Sequence, residues 1–289
     1  MHDKSWFFVI GVLIIFLSQT EPSLSDVVLT LADRLMGIGS YDEAITEYKR
    51  YIFFNPKGED TGHALYRMGL AYRMGRNWQK AIDAFRVYIL TARDSRAVDE
   101  GRIVLGTTLI ASGNYSLARL ELLNVSEFSK YTSLRLKSMY FEGIASLYMS
   151  DWDAVNKAFG DFYSEYAEVQ MKERAKEIDS VLLKTQQSYR SVGTAKLLSS
   201  IFPGLGQIYA GDWRDGLNAL ALNGLAMGFL ANAIYRRDYK DAVLISSISL
   251  RYYMGNIYRA EVDVRRYNES LDRQSAMKIL KLVSEDEPS

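Results

Sequence analysis

The stretch GSYDEAITEYKRYIFFNP, residues 39–56, decides the fold because its residue types recur along the chain every 37 residues. The repeat has a small residue, an aromatic residue, a small or β-branched residue and a large residue in fixed registers. These registers are Ala32, Gly69, Gly106 and Gly143; Tyr41, Trp78, Tyr115 and Trp152; Ala44, Ala81, Ala118 and Val155; and Tyr48, Phe85, Leu122 and Phe159. The spacing within a unit places these side chains where two antiparallel helices touch. The sequence therefore predicts an all-α solenoid of four helix hairpins over residues 26–164.

These residues resemble the tetratricopeptide pattern, which has a small residue on its first helix, a Gly-x-Tyr turn, Ala and Phe on its second helix, and a closing Pro. The usual unit has about 34 residues, so the longer period predicts longer helices or loops. With aromatic residues such as Tyr51 and Tyr88 on the second helix, the repeats are similar to bacterial envelope proteins related to the outer-membrane barrel assembly lipoprotein. The resemblance is weakest in the fourth unit, where Glu142 and Ser146 occupy positions that are usually apolar.

The resemblance implies that the first helix of each unit lines a concave face. Its inward positions would be Tyr66, Leu70, Arg73 and Met74 in the second unit, Ile103, Thr107 and Ile110 in the third, and Tyr140, Ile144 and Tyr148 in the fourth. Tyrosine and methionine present large contact areas, which suit an extended or helical segment of another protein. The alternative is that these residues pack against the next helix or the C-terminal region. A repeat array defines a geometry and leaves the identity of the partner open.

Composition excludes several classes of function. The 35 basic and 35 acidic residues give no net charge to attract nucleic acid. Without cysteine the chain has no disulfide, thiolate metal site or catalytic thiol, and it lacks the lipid-bearing cysteine of a bacterial lipoprotein. His2 and His63 are the only histidines, and no Walker or complete dinucleotide motif occurs. We therefore expect no enzyme, no metal site and no cofactor.

The first 25 residues resemble a secretory leader. Lys4 precedes an apolar stretch from Trp6 to Leu17, which is followed by small polar residues. The stretch is too short to cross a bilayer, which takes about 20 helical residues, but it fits the apolar region of a signal peptide. Cleavage after Ser18 or Ser25 and retention as an anchor both remain open. Export from the cytoplasm, with periplasmic repeats, is the expectation.

Three further segments follow the repeats. Residues 165–192 have apolar side chains at helical spacing and are predicted to cap or link the solenoid. Residues 193–270 are predicted to form a membrane-associated helical hairpin, and residues 271–289 its helix end and an acidic tail. Within the hairpin, Gly216–Tyr235 offers about 20 residues without a charge, which is enough to span the hydrocarbon core. The second segment, 242–258, carries Arg251, which needs a partner or a water-filled surface.

Glycines on the first apolar helix favour close helix contacts. Gly224 and Gly228 form a small-xxx-small pair, and Asn218 and Asn223 offer side-chain amides for bonds between helices. The sequence therefore allows a homo-oligomer formed through this helix, with membrane lipid as the other expected contact.

The same region resembles a C-terminal module found on bacterial envelope proteins. Its hallmarks are a PGLGQIYAG stretch, an Asp-Gly-x-Asn-Ala stretch, a Gly-Asn-Ile-Tyr stretch and a closing Tyr267-Asn268. The motif residues are Pro203, Gly204, Gly206, Gln207, Tyr209, Gly211, Asp215, Gly216, Asn218, Gly224, Gly228, Arg251, Gly255, Asn256 and Tyr258. The glycines permit unusual backbone conformations or close contacts, and Gln207 and Asn218 could bond freed backbone groups. The motif either builds a tight helix turn or holds a lipid headgroup or client helix.

The sequence thus predicts a non-enzymatic envelope scaffold that binds an unidentified protein partner and is attached to a membrane. The alternative is a factor that assists the biogenesis of membrane or outer-membrane proteins. The choice between inner and outer membrane stays open.

Overall fold

The computed structural model describes residues 24–165 and 169–288, so nearly all of the predicted leader lies outside the described residues. Within the described ranges the secondary structure is entirely helical. The chain divides into two compact units, one containing the repeats and the other residues 166–286. The predicted all-α class is confirmed.

Eight helices form the described part of the first unit, and each packs against the next along the chain. They are α1 Leu24–Gly37, α2 Tyr41–Phe54, α3 Thr61–Met74, α4 Trp78–Thr91, α5 Ser95–Ala111, α6 Tyr115–Phe128, α7 Thr132–Tyr148 and α8 Trp152–Glu165. Two successive helices make one hairpin of the repeat. The helix-hairpin solenoid predicted from the period is therefore the observed architecture.

The repeated registers meet inside each hairpin. Each large residue of the second helix is buried, and the small residue sixteen positions earlier lies beside it. A Cβ added to Gly69 would lie 2.6 Å from the Phe85 ring, and one added to Gly106 would lie 2.7 Å from Leu122. The alanine or valine register is also fully buried. This confirms that the sequence period marks helix contacts.

The turn within each hairpin has one backbone geometry. The second turn residue has positive φ in all four units, at +81° in Gly39, +56° in Arg76, +81° in Gly113 and +52° in Ser150. The amide of the next residue donates to a carbonyl five residues earlier, as in Asn77 to Tyr72 at 2.8 Å. This left-handed C-terminal cap satisfies the last carbonyls of the first helix and reverses the chain.

The residues that lengthen the repeat are placed in two ways. Between α2 and α3 the additional residues lie in the loop 55–60. Helices α5 and α7 instead have 17 residues where α3 has 14. Both predicted solutions, a longer loop and a longer helix, therefore occur.

The second unit contains five described helices: α9 Val169–Ser188, α10 Val192–Ile201, α11 Leu205–Tyr209, α12 Trp213–Tyr235 and α13 Tyr239–Val283. The last of these has 45 residues and runs without interruption through residue 270. α9, α10, α11 and α12 all contact α13. The predicted cap or linker over residues 165–192 thus supplies a helix that packs on α13.

α12 and α13 form a helix hairpin, as expected. Its turn consists of residues 236–238, and Asp238 caps α13 by accepting from the amide of Asp241 at 3.2 Å. Arg237 takes a left-handed conformation with φ +59°. α12 is also longer than the predicted span, since Asp212 caps it in the same way ahead of Trp213.

Candidate functional site

The residues predicted to line a groove are not equally accessible. Met74 is 60 % exposed and Tyr148 is 54 % exposed, whereas Ile103, Tyr140 and Ile144 are buried. The remaining groove positions, Tyr66, Leu70, Arg73, Thr107 and Ile110, are half-buried. Access from solvent therefore concentrates at the C-terminal ends of α3 and α7.

Tyr140 has a structural environment that explains its burial. Its ring lies 5.7 Å from that of Phe162 and 6.2 Å from that of Phe159, both on α8. Phe141 lies 5.3 Å away in an edge-to-face arrangement. Such aromatic clusters stabilise helix contacts. In this conformation Tyr140 supports the fourth hairpin, as the packing alternative anticipated, and offers no surface to a partner.

Arg73 joins two neighbouring repeats. Its Nη1 donates to Thr107 Oγ1 at 3.0 Å, which links α3 to α5. Among residues 24–165, no described carboxylate lies within 4.0 Å of the Arg73 guanidinium, so Arg73 forms no ion pair there. Burial lowers the pKa of Arg73, and the neighbouring Tyr66 opposes the effect. A half-buried cation with free donors thus stands beside the exposed Met74.

A polar cluster on α1, α2 and α3 was not predicted. Tyr48 donates to Asp33 Oδ1 at 2.5 Å, while His63 and Arg67 each approach the same carboxylate at 3.2 Å. Burial raises the pKa of Asp33, but these hydrogen bonds outweigh it and hold the pKa below its usual value. Burial and then Asp33 raise the pKa of Tyr48 to about 12. The cluster joins the first two repeats. In the sequence, only the spacing of charged residues on separate helices could have indicated it.

The two polar residues of the fourth unit, Glu142 and Ser146, are both buried. Ser126 donates to Glu142 Oε2 at 3.0 Å. Burial raises the pKa of Glu142, and the bond from Ser126 opposes this only in part. An adjoining cavity of about 300 Å³ also contains Arg135 and Lys157. The departure from the apolar pattern is thus a buried carboxyl group with a raised pKa.

The glycines of the PGLGQIYAG stretch form a close helix junction. Gly204 has φ +107°, and a Cβ there would lie 2.2 Å from the carbonyl oxygen of Gly216 on α12. A Cβ on Gly206 would lie 2.3 Å from the carbonyl oxygen of Ala195 on α10 and 2.7 Å from Cβ of Ala260 on α13. No side chain fits in either place. The motif therefore brings α10, α11, α12 and α13 into backbone contact.

Hydrogen bonds connect the separate parts of the motif. Gln207 is buried and donates through Nε2 to the carbonyl oxygen of Asn256 at 3.0 Å, while its Oε1 accepts from Ser199 Oγ at 3.2 Å. The sequence predicted that Gln207 bonds the freed backbone groups of a broken helix. The carbonyl that it bonds instead belongs to the uninterrupted helix α13.

A second set of bonds holds the start of α10. Tyr209 accepts from the amide of Ser191 at 3.0 Å. Asn268 exchanges two bonds of 3.0 Å with the backbone of Arg190, whose guanidinium lies 3.7 Å from the ring centre of Tyr267. The Cβ position of Gly211 is also close to Arg190, at 2.8 Å from Nη1. The Tyr267-Asn268 pair therefore fastens α13 to the segment between α9 and α10.

A cavity of about 520 Å³ opens between α12 and α13. Its polar lining consists of Gln207, Asp215, Asn218, Asn223, Arg251, Tyr252, Asn256 and Arg259. Arg259 lies 3.1 Å from Asp215 and 3.2 Å from Asp263. Arg251 reaches this cavity without a carboxylate within ion-pair distance among the described residues. The predicted motif thus supplies most of a polar cavity.

Four further motif residues, Pro203, Gly224, Gly228 and Tyr258, do not line this cavity, whereas Gly255 does. A Cβ added to Gly224, Gly228 or Gly255 would meet nothing within 4 Å, so these glycines face open space. Tyr258 is exposed as well. Pro203 lines a separate apolar cavity of about 560 Å³ that contains Met227 and Leu250. The small-residue face of α12 is accordingly unoccupied within the described chain.

Comparison with known proteins supports the repeat class. Residues 63–95, which cover nearly all of α3 and the whole of α4, match the family described as tetratricopeptide repeat. Among curated proteins, none matches the chain. With helix hairpins packed in succession on both sides of the matched unit, the first unit is a tetratricopeptide-like array, a class whose repeats serve as scaffolds for protein–protein interaction.

Possible metal ligands do not cluster in the part of the chain that the structure describes. Across residues 24–165 and 169–288, no group of three or more His, Asp or Glu side chains could hold a metal ion. The exposed residues of the first helices of the repeats and the polar cavity of the α12–α13 hairpin are the candidate sites.

Proposed function

We propose that this chain is a non-enzymatic scaffold of the cell envelope, which binds a protein partner through its repeats and is attached to a membrane by α12 and the first half of α13. The leader-like residues 1–25 support export. The tetratricopeptide-like repeats support partner binding.

The observation that carries the membrane attachment is the uncovered apolar surface of α12. The helix is long and apolar enough to cross a membrane. Its most apolar 18 residues have a mean hydropathy of 1.4, yet only 6 % of them are buried. Exposed large apolar side chains on α12 are Trp213, Leu217, Leu222, Leu225, Met227, Phe229, Ile234 and Tyr235. A surface of this kind indicates a lipid or protein contact.

α13 continues this surface. Its exposed apolar side chains between residues 243 and 258 are Val243, Leu244, Ile248, Leu250, Tyr252, Met254 and Tyr258. Full burial of one such side chain in an apolar environment gains about 1.5–3 kcal/mol. The 23 residues of α12 extend about 34 Å, against a hydrocarbon core of about 30 Å. Contact of both helices with lipid therefore accounts for the length of α12 and for the exposure of the apolar side chains on α12 and α13.

Flotation tests the attachment directly. The full chain is mixed with phosphatidylcholine vesicles, and the fraction that floats with them in a density gradient is measured. The double variant L225E/F229E introduces two charges into the exposed face of α12, and each costs about 2.5–3.5 kcal/mol at the centre of a bilayer. We expect the wild-type chain to float and this variant to lose most of its flotation.

The matched control is L117E/L120E, which replaces two exposed leucines on α6 of the repeats. Its flotation should equal that of the wild type. Circular dichroism of all three proteins checks that helix content is retained. A wild-type chain that stays at the bottom of the gradient, or a control that loses flotation to the same extent, would contradict the attachment.

The repeats provide the proposed partner site at Met74, Tyr148 and the half-buried residues near them. The exposed Met74 lies beside the free donors of Arg73, and the exposed Tyr148 adds aromatic area two repeats further on. Together they offer apolar area and hydrogen bonds. A photoreactive amino acid at position 74 or 148 should capture one discrete partner in cells. The same amino acid at position 120, on the second helix of its hairpin, serves as the control, and equal capture there would contradict a site on the first helices.

A further inference from the structure

The polar cavity between α12 and α13 contains hydrogen-bond donors that the described chain leaves without acceptors. Asn256 is buried, and its Nδ2 finds no hydrogen-bond partner there. Its Oδ1 is already engaged by Gln207 Nε2. A buried amide donor without an acceptor costs about 1–3 kcal/mol. The cavity that Asn256 lines therefore favours a ligand with acceptor atoms.

The charges of the cavity indicate an anionic ligand. Arg259 forms ion pairs with Asp215 and Asp263, both within 3.2 Å of its guanidinium. Arg251 is the cation that remains, because no described carboxylate pairs with it in this unit. An arginine placed between apolar side chains needs a counter-charge, and its planar fork suits phosphate oxygens. Asn218, which is exposed to the cavity, can add a further amide donor.

An apolar groove continues from this cavity. The groove, of about 320 Å³, is lined by Leu222, Asn223, Leu225, Ala226, Phe229, Ile248, Ser249 and Tyr252. Leu222, Asn223 and Tyr252 line both spaces. A ligand that fills both must join an anionic end to a hydrocarbon end.

The order of the two spaces along the hairpin matches the depth profile of a bilayer. On α12 the polar cavity extends from Asp215, near the start of the helix, to Asn223. The groove lies further along α12, and Leu222 to Phe229 spans about 10 Å of helix towards its middle. In a membrane-crossing hairpin the charged end would stand at the water interface and the groove would point into the hydrocarbon.

We propose that this site binds one anionic phospholipid, with the phosphate between Arg251, Asn218 and Asn256 and an acyl chain along Leu222, Ala226 and Phe229. The proposal rests on the proposed membrane attachment. It is separate from bulk contact with lipid, because it requires selection of an anionic headgroup at one position.

The test is native mass spectrometry of the full chain, released from detergent micelles that contain equal amounts of phosphatidylglycerol and phosphatidylcholine with the same acyl chains. Both lipids offer a phosphate to Arg251, but the choline cation of phosphatidylcholine already neutralises its phosphate and is repelled by the arginine. One bound phosphatidylglycerol should therefore be enriched about tenfold over phosphatidylcholine. Arg251→Gln should bring the ratio close to one, and Arg251→Lys should retain part of the enrichment.

Arg236→Gln is the matched control, since it removes the same charge at the opposite end of α12. It should keep the enrichment. If Arg236→Gln loses as much as Arg251→Gln, the preference reflects general surface charge and the site is wrong. If the two lipids bind equally while the chain still floats with phosphatidylcholine vesicles, the lipid site fails and the attachment stands.

Inorganic phosphate and glycerol phosphate distinguish a lipid from a free phosphate compound. Neither should displace the bound phosphatidylglycerol at millimolar concentration, because they lack the acyl chain that fills the groove. Ala226→Phe narrows the groove and should weaken the retention of long-chain phosphatidylglycerol. Displacement by inorganic phosphate, or a bound helix of a second copy in place of the lipid, would overturn the proposal.

Discussion

A methyl group added to Cα of Gly143 would lie 2.6 Å from Cζ of Phe159, a ring with 1 % of its surface exposed. The two residues belong to α7 and α8 and are sixteen positions apart. Gly69 with Phe85, and Gly106 with Leu122, repeat the relationship in the second and third units. The small residue of each repeat is therefore a steric requirement of the hairpin that contains it.

Gly143→Ala should destabilise the repeats for this reason. Alanine gains about 1 kcal/mol of helix propensity over glycine, but overpacking of a buried ring costs about 1–3 kcal/mol. Gly160→Ala, on α8, gains the propensity without the contact, because nothing lies within 4 Å of its added Cβ. Urea unfolding followed by circular dichroism should place the midpoint of Gly143→Ala below the wild type and that of Gly160→Ala at or above it. Equal midpoints for both variants would contradict the steric argument.

The sequence predicted the hairpin contacts well because each depends on residues within one unit. Ala44, Ala81, Ala118 and Val155 are all fully buried, as their register required. The accessibility of the first helices was less predictable. Tyr140 and Tyr148 lie on the same helix, yet one is 4 % and the other 54 % exposed, because Phe159 and Phe162 cover only the first. That difference depends on tertiary neighbours.

The contacts of the C-terminal motif also depend on tertiary neighbours that the sequence does not identify. Its glycines indicated close contacts, and Gly204 and Gly206 make them. The sequence could not show which helices approach, since Gln207 bonds Asn256 across a separation of 49 residues. Nor could it show that Arg251 and Asn256 reach one cavity, because residues on a helix share a space only through the helix that packs beside them.

Tyr140→Ala should lower the stability of the repeats, whereas Tyr148→Ala should weaken partner binding. Loss of the Tyr140 ring from its buried cluster should cost about 3–5 kcal/mol of stability, by analogy with other buried aromatic residues. Tyr148 retains one stacked contact, at 4.8 Å from Tyr115, and its removal should cost less than about 1.5 kcal/mol. Thermal unfolding measures the first effect, and photo-crosslinking from position 74 measures whether Tyr148→Ala weakens partner capture. A strongly destabilised Tyr148→Ala, or a fully stable Tyr140→Ala, would reverse these assignments.

The buried Glu142 should make the stability of the repeats depend on pH. Burial raises its pKa above the usual 4.5, so the folded chain holds a proton that the unfolded chain releases. Stability should fall as the pH rises from about 4.5 to the raised pKa and should then stay at the lower level. Glu142→Gln removes this ionisation and should be more stable relative to wild type at pH 7 than at pH 4. Urea midpoints at the two pH values measure the difference, and Glu100→Gln, which alters an exposed ion pair with Arg96, is the control. A Glu142→Gln effect that is the same at both values would contradict the raised pKa.

Gly206→Ala should disrupt the C-terminal helix junction more than any change on the open face of α12. Its methyl group would overlap the carbonyl oxygen of Ala195 and the Cβ of Ala260, and neither atom can rotate away. We expect a loss of at least about 2 kcal/mol, in the range of severe overpacking. Gly228→Ala meets nothing within 4 Å and should leave stability unchanged or raise it by up to about 1 kcal/mol. Thermal unfolding of the full chain in detergent compares the two variants. If Gly206→Ala unfolds at the temperature of Gly228→Ala, α10, α11 and α13 do not meet as closely as the junction requires.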